Sequence, residues 1–134
     1  MKVVINILCW IFVAFCIIFP YSYFHKDLDK KEIKISHILV ETQEKAQNIH
    51  EEIIQGKNFE EMAQEYSLCP SKERKGDIGY NMRGKLLPEF EKTAFKLNKK
   101  EMSEPVQTEE GWHIIKIYDI KYYSDKENFE QKKY

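Results

Sequence analysis

Two histidines lie in apolar segments of the sequence, where a polar side chain needs an explanation. His37 lies inside "ISHILV" and His113 inside "GWHIIKI". Taken alone, each is more often a hydrogen-bonded core histidine than a functional one. A buried polar group without a partner costs about 1–3 kcal/mol. If the two segments are strands that pair, each histidine can be the other's partner.

One cysteine adds a second chemical group. Cys69 stands in "YSLCPSKERKGDIGY", a basic, glycine-punctuated loop, and is the only cysteine beyond the first 16 residues. As a nucleophile it would need a general base, which the histidines could supply, and an oxyanion site. Cys69, His37 and His113 are also zinc-ligand types, but no close-spaced ligand pair accompanies them. The third interpretation is a thiol that only packs, and residue types alone leave all three open.

The first half of the chain predicts a strand followed by two helices. Residues 33–40 read as a strand, because polar and apolar residues alternate before the segment becomes apolar. Thr42 begins a helix that Gly56 ends, and Asn58 begins the next in the manner of a capping box. The expected buried faces are Ala46, Ile49, Ile53 and Ile54 on the first helix and Phe59, Met62, Ala63 and Tyr66 on the second.

The second half predicts a loop, a short strand, a helix and two strands. The loop runs over residues 68–77 and the strand over 78–80, with a turn at Gly84. Residues 87–98 form a helix with proline in the first turn, where it is tolerated. Residues 104–120 predict two strands joined by a turn at Gly111. Phe90, Ala94, Phe95 and Leu97 are expected in the core.

Length and charge restrict the class of protein. The chain has 134 residues, which favours one domain. Charged residues make up 32% and aromatic residues 13%, typical of a folded domain. The formal net charge is -1, so nothing indicates a nucleic-acid partner. With one cysteine outside the N-terminal segment, no disulfide framework is predicted.

The first 24 residues, "MKVVINILCWIFVAFCIIFPYSYF", predict a membrane segment. Between Val3 and Phe19 the only polar side chain is Asn6. The apolar run approaches the roughly 20 residues that cross a bilayer, and aromatic residues follow it where the interface would lie. A cleaved signal peptide would want small residues before the cut, and a lipoprotein signal a small residue before its cysteine. The favoured interpretation is an uncleaved anchor.

Five segments, in this order, resemble the parvulin-type peptidyl-prolyl cis/trans isomerases. They are "SHILV", "FEEMAQEYSLCPS", "KGDIGY", "RGKLLPEFEKTAF" and "GWHIIKI". Each is modest alone, but five in order with short spacers are specific, and they span Ile33 to Ile120. The resemblance implies an α+β, FKBP-like fold in which a four-stranded antiparallel sheet is surrounded by about three helices. With the N-terminal segment, the expected organisation is an anchor (1–24), a charged linker (25–32), a parvulin domain (33–121) and a polar tail (122–134).

The resemblance also implies the site residues. Three positions match the catalytic ones: His37, Cys69 and His113. Four match the substrate-binding ones: Ile78, Leu86, Phe90 and Thr108. No metal or cofactor is implied. Because some family members carry aspartate at the cysteine position, thiol chemistry is not essential to the reaction class.

Partners and location follow from the same resemblance. The expected activity is non-covalent rotation of X-Pro bonds in unfolded or nascent polypeptides, by a monomer anchored in the membrane through residues 3–24. The alternative is a non-catalytic peptide-binding chaperone that uses the same groove. Family habit places the domain outside the cytoplasmic membrane, whereas Lys26, Lys30 and Lys31 after the span favour the cytoplasmic side.

Some residues depart from the family pattern. Phosphate-specific parvulins carry basic residues after the first strand, but here "ETQEKAQ" is net acidic, so no phosphate specificity is predicted. A basic run, Lys72, Arg74 and Lys75, could instead favour an acidic residue before the proline. Two remaining histidines, His25 and His50, match nothing and are expected on the surface.

Overall fold

Four strands and three α-helices make up the described part of the chain, residues 31–123 of a computed structural model. In order, the elements are β1 (Lys31–Val40), α1 (Gln43–Ile54), α2 (Phe59–Tyr66), a 3-10 helix (Pro70–Arg74), β2 (Asp77–Asn81), α3 (Pro88–Ala94), β3 (Val106–Thr108) and β4 (Gly111–Tyr122). The predicted anchor, most of the linker and most of the tail lie outside these residues. Within residues 31–123, no helix has the length and apolarity to cross a membrane.

The strands form one sheet in the order β2-β1-β4-β3. β1 pairs with β2 and β3 pairs with β4, both antiparallel. The start of β4 lies against the end of β1, because a Cβ atom on Gly111 would be 2.6 Å from the Val40 carbonyl oxygen. The predicted four-stranded antiparallel sheet with three helices is therefore confirmed.

Alternation along the two central strands gives the sheet two apolar faces. One face packs on α1 and α2 through a core of Ile38, Val40, Ala46, Ile49, Phe59, Met62, Ala63 and Ile114. The other packs on α3 through Ile33, Ile35, Phe90, Ala94, Phe95, Ile115 and Ile117. His37 is two residues beyond Ile35 and His113 two before Ile115, so both histidines point to the α3 face.

Side chains fix the starts of the first two helices as predicted. The Thr42 hydroxyl accepts a hydrogen bond from the Lys45 amide at 3.3 Å. The Asn58 side chain accepts from the amides of Glu60 and Glu61 at 2.8 and 3.2 Å. Each cap occupies amides that lack a partner in the first helical turn.

Two predictions about α1 were wrong. Ile54 is 66% exposed, whereas His50, expected on the surface, is only 7% exposed. At 100° per residue, His50 projects between Ala46 and Ile53, while Ile54 lies at the margin of that face. The apolar character of Ile54 therefore did not indicate burial.

Three other boundaries differ from the prediction. β1 begins at Lys31, two residues early, and residues 70–74 of the predicted loop form the 3-10 helix. α3 ends at Ala94 rather than near residue 98, because the amides of Lys96 and Leu97 bond to Thr93 and Ala94 in tighter turns.

The predicted turn at Gly111 also requires correction. Gly111 is the first residue of β4, and the turn lies before it. Its φ of +138° and its contact with Val40 exclude a side chain there. Glycine is required at this position by the approach of β1, in addition to its favourable φ.

Candidate active site

The two histidines meet on the α3 face of the sheet. Their Nδ1 atoms are 3.1 Å apart, although the residues are 76 positions apart in sequence. The ring planes are inclined by only 12°. His37 is 6% exposed and His113 is 1% exposed. The prediction that each is the other's hydrogen-bond partner is confirmed.

The outer nitrogen of each ring contacts a hydroxyl group. Ser71 Oγ lies 3.2 Å from His37 Nε2, and Thr108 Oγ1 lies 2.8 Å from His113 Nε2. The Thr108 hydroxyl also contacts the Gly111 carbonyl oxygen at 3.5 Å. The result is one hydrogen-bonded chain that runs from the 3-10 helix through both histidines to the β3–β4 turn.

This chain has a preferred direction. An Nδ1–Nδ1 hydrogen bond between neutral rings requires opposite tautomers, one ring donating and the other accepting. If Ser71 donates to His37 Nε2, then His37 donates through Nδ1, His113 donates to Thr108, and Thr108 donates to the Gly111 carbonyl. In the reverse direction the Ser71 proton has no acceptor among the described residues. The contacts therefore assign the Nδ1–H tautomer to His37 and the Nε2–H tautomer to His113.

Burial keeps the pair neutral. Desolvation lowers the pKa of His37 to about 4, and the neighbouring His113 lowers it further in the same direction. Desolvation also lowers the pKa of His113 to about 4. At physiological pH the site therefore offers fixed dipoles rather than a positive charge.

Stability is expected to fall as the pH drops from about 6.5 to about 4. In this window an unfolded histidine, with a pKa of about 6.5, binds a proton while the folded pair stays neutral. The unfolded state therefore binds more protons, so each histidine lowers the free energy of unfolding by up to about 1.4 kcal/mol per pH unit. Urea titrations between pH 8 and pH 4.5 measure the slope, with His50→Gln as the control for the other buried histidine. A flat profile in this window would contradict the assignment of two neutral, buried imidazoles.

Phe90 presents its ring to both imidazoles. The ring centroids are 5.5 Å from His37 and 5.3 Å from His113, with interplanar angles of 81° and 89°. Edge-to-face contacts of this kind are favourable for aromatic rings. Phe90 is 4% exposed and therefore supports the pair from the α3 side while one part of it faces a cavity.

An apolar cavity adjoins the histidine pair. It has a volume of about 570 Å³, within the range of about 300–1,000 Å³ that is usual for small-ligand sites. The lining residues are His37, Ile78, Asn81, Gly84, Lys85, Leu86, Leu87, Pro88, Phe90, Glu110 and His113. The structure thus places three of the four predicted substrate-binding residues, Ile78, Leu86 and Phe90, in the wall of one cavity.

A β-bulge brings Ile78 into the wall. Along β1 and β2, Ile35 pairs with Gly79 and Ser36 pairs with Asp77, which leaves Ile78 without a partner on β1. Asp77 stabilises the irregularity, since its carboxylate accepts from the Gly79 amide at 2.7 Å. Bulges of this kind change the direction of a side chain and occur often beside active sites.

Gly76 holds the loop with Ser71 against β1. Its carbonyl accepts from the His37 amide at 3.0 Å. A Cβ atom on Gly76 would lie 2.6 Å from the His37 carbonyl oxygen, and its φ is +82°. Only glycine fits this contact without displacing the strand that carries His37.

Cys69 lies outside the hydrogen-bonded chain. It is half-buried, its amide donates to the Ser67 hydroxyl at 3.3 Å, and its carbonyl accepts from the Lys72 amide. Within residues 31–123 its thiol makes no hydrogen bond to either histidine, and no group of three histidine, cysteine or acidic residues could hold a metal ion. The catalytic role predicted for Cys69 stays a prediction.

Thr108 and the basic run lie differently from what the predicted roles require. Thr108 contacts His113 but does not line the cavity, so the structure places it behind the histidine. None of Lys72, Arg74 and Lys75 lines the cavity either. Arg74 instead donates from Nε to the Asp77 carbonyl, which ties the loop to β2.

The residue that sequence reasoning missed is Ser71. It is 4% exposed, and it holds the His37 nitrogen that Cys69 was expected to approach. The available signal was its place two residues after Cys69 in a loop predicted to adjoin the histidines. A buried serine within reach of a buried histidine is a natural hydrogen-bond partner.

Replacing Ser71 with alanine is expected to loosen the pair. His37 Nε2 would lose its donor, which costs about 1–3 kcal/mol of unfolding free energy for a buried polar group. The ¹⁵N chemical shifts of His37 should show a mixture of tautomers in place of the Nδ1–H form. Ser103→Ala is the control, because Ser103 is equally buried but accepts from the Ile115 amide instead. Unchanged His37 shifts in Ser71→Ala would contradict the assigned direction of the chain.

Comparison with known proteins agrees with this geometry. The family model described as rotamase, a PPIC-type PPIase domain, matches residues 28–119. The chain belongs to the PPIC-type peptidyl-prolyl isomerase family. It is 53% identical over 97 residues to foldase protein PrsA 1 of Bacillus cereus, covering 72% of this chain and 34% of that protein. It is 47% identical over 96 residues to a parvulin-like PPIase of Rickettsia felis, covering 69% and 34%.

Solved structures show the same PPIC-type fold. The crystal structure of the peptidylprolyl isomerase PrsA from Bacillus anthracis aligns with a TM-score of 0.72 at 41% identity, covering 80% of this chain and 50% of that one. The solution structure of the parvulin of Nitrosopumilus maritimus aligns with a TM-score of 0.62 at 41% identity, covering 66% and 97%. The chain spans about a third of the length of the curated relatives it matches.

Proposed function

We propose that this chain accelerates cis/trans isomerisation of X-Pro bonds in unfolded or nascent polypeptides. The observation that carries the proposal is an apolar cavity beside a buried, neutral histidine pair. Membership of the PPIC-type family supports the same reaction.

The chemistry needs a site that favours a twisted amide. Double-bond character in the C–N bond sets a barrier of about 18–20 kcal/mol. The two isomers of an X-Pro bond are already close in free energy, so only the barrier has to be lowered. A site that binds the twisted amide better than either planar form lowers it without a covalent bond to the substrate.

The residues of the cavity suit this task. Ile78, Leu86 and Phe90 offer apolar surface to the proline ring. The hydrogen-bonded chain fixes both imidazoles, so their dipoles are oriented before the carbonyl of the rotating bond turns past them. Because this arrangement needs no nucleophile, the proposed mechanism assigns Cys69 no covalent step, and Cys69→Asp should retain activity.

A protease-coupled assay of the full chain in detergent micelles tests the proposal. An Ala-Pro peptide should isomerise faster than in the uncatalysed reaction, with no change in its final cis fraction. A titration followed by the peptide's NMR shifts measures binding in parallel. Binding without any gain in rate would overturn the proposed activity and leave the alternative, a peptide-binding chaperone.

We also propose that residues 3–24 anchor the protein and that the domain, acting as a monomer, faces away from the cytoplasm. The apolar run and the aromatic residues after it support the anchor. Family habit supports the outward orientation, against the lysines that follow the span. Protease added to intact cells should then remove the domain, and full protection would place it on the cytoplasmic side.

A further inference from the structure

The cavity wall carries two opposite charges. Among its lining residues, Glu110 and Lys85 are the two whose side chains are charged at neutral pH, since the histidines are neutral. They come from different elements. Glu110 belongs to the β3–β4 turn beside His113, and Lys85 belongs to the loop between β2 and α3 that also supplies Leu86.

Neither charge is neutralised by the protein. Both side chains are exposed, and no described residue forms an ion pair with either one, so their charged atoms also lie more than 4.0 Å from each other. Other charges of the domain are paired, for example Lys99 with Asp119 at 2.6 Å. The charges of Glu110 and Lys85 are therefore available to a bound peptide.

The backbone holds both residues in place. The Glu110 amide donates to the Thr108 hydroxyl at 3.2 Å, which joins Glu110 to the hydrogen-bonded chain of the histidines. Next to Lys85, the Gly84 amide donates to the Glu91 carboxylate of α3 at 2.6 Å. Each charge thus sits on a fixed turn at a different part of the cavity wall.

We infer that Glu110 and Lys85 select substrates by charge order: a basic side chain on one side of the proline and an acidic side chain on the other. The inference rests on the proposed function, in which the proline ring occupies the apolar part of the cavity. Neighbouring Cα atoms of a bound peptide are about 3.8 Å apart, so the residues that flank the proline extend to the rim where the two charges lie. A peptide in the favoured order meets an opposite charge at each end, and the reversed peptide meets a like charge at each end.

This inference replaces the selector predicted from sequence. The basic run at residues 72–75 suggested a preference for an acidic residue before proline, but none of its side chains lines the cavity. Glu110 and Lys85 do line it, and together they predict a preference that depends on order rather than on net charge.

Two peptides of identical composition test the inference. Their central segments are Lys-Pro-Glu and Glu-Pro-Lys, and an Ala-Pro-Ala peptide reports isomerase activity without flanking charge. For each, kcat/KM is divided by the uncatalysed rate, and Kd is measured by NMR titration. At about 20 mM salt one charge order should be preferred by about 3- to 10-fold, and about 0.5 M salt should reduce the ratio towards one, since these charges are exposed. Equal values for the two orders, in both kcat/KM and Kd, would overturn the inference.

Variants assign the preference to the two residues. Glu110→Gln should reduce the ratio, and the double variant Glu110→Lys with Lys85→Glu should invert it. Glu109→Gln is the matched control, because Glu109 is a neighbouring exposed carboxylate that does not line the cavity. A ratio that the double variant leaves unchanged would also overturn the inference. Failure of the proposed function has a different signature, since Ala-Pro-Ala would then show no acceleration while Kd still reports charge order.

Discussion

Replacing His37 by alanine is expected to lower kcat/KM for an Ala-Pro peptide by about 100-fold, the scale of effect seen when one preorganised polar group is removed from an active site. The substitution leaves His113 Nδ1 without its partner at 3.1 Å and Ser71 without its acceptor. Two buried polar groups would then lack hydrogen bonds, so the free energy of unfolding should also fall by about 1–3 kcal/mol for each group. The rate is measured by the coupled assay and the stability by urea titration.

His50→Ala separates the role of His37 from the general effect of losing a buried histidine. His50 is 7% exposed and lies on α1, on the opposite face of the sheet from the pair. Its replacement should reduce stability but leave kcat/KM of the folded protein within about twofold, because distant sites act independently. If the two variants lost activity equally, the histidine pair would have no special part in the reaction.

Replacing Phe90 by alanine should have the second large effect. The ring lines the cavity and contacts both imidazoles, so the variant loses a wall of the proline site and a support of the pair. Burial of a large apolar side chain contributes about 1.5–3 kcal/mol, and each 1.4 kcal/mol is a factor of ten, so kcat/KM should fall by about 10- to 100-fold. The free energy of unfolding should fall by about 3–5 kcal/mol.

Phe95→Ala provides a matched control. Phe95 is also 4% exposed and belongs to the same core on the α3 face, but it does not line the cavity. Both variants should lose similar stability, and only Phe90→Ala should lose activity per folded molecule. Assays at low temperature, with the folded fraction measured by circular dichroism, make the comparison. Equal activity losses would contradict the assignment of Phe90 to the substrate site.

The framework of the site could be predicted from sequence because it depends on local patterns. Alternation of apolar residues placed His37 and His113 on strands, and their need for a partner predicted that those strands pair. The caps at Thr42 and Asn58 followed from residue type, since short oxygen-bearing side chains occupy free amides at helix starts. These features depend on a few neighbouring residues each.

The parts that could not be predicted depend on long-range contacts. Ser71 reaches His37 only because Gly76 closes the loop against β1. Ile78 turns into the cavity because of a bulge that depends on the register of β1 and β2. The exposure of Ile54 and the burial of His50 depend on which part of α1 faces the sheet. None of these contacts has a signature in the local sequence.

Two-dimensional exchange NMR on an Ala-Pro peptide at equilibrium tests the central claim most directly. Without protein, cis/trans exchange takes tens to hundreds of seconds, too slow for cross-peaks between the two isomers. With a catalytic amount of the full chain in micelles, cross-peaks should appear while the cis fraction stays constant. Peptide resonances that shift on binding but show no exchange cross-peaks would contradict the account.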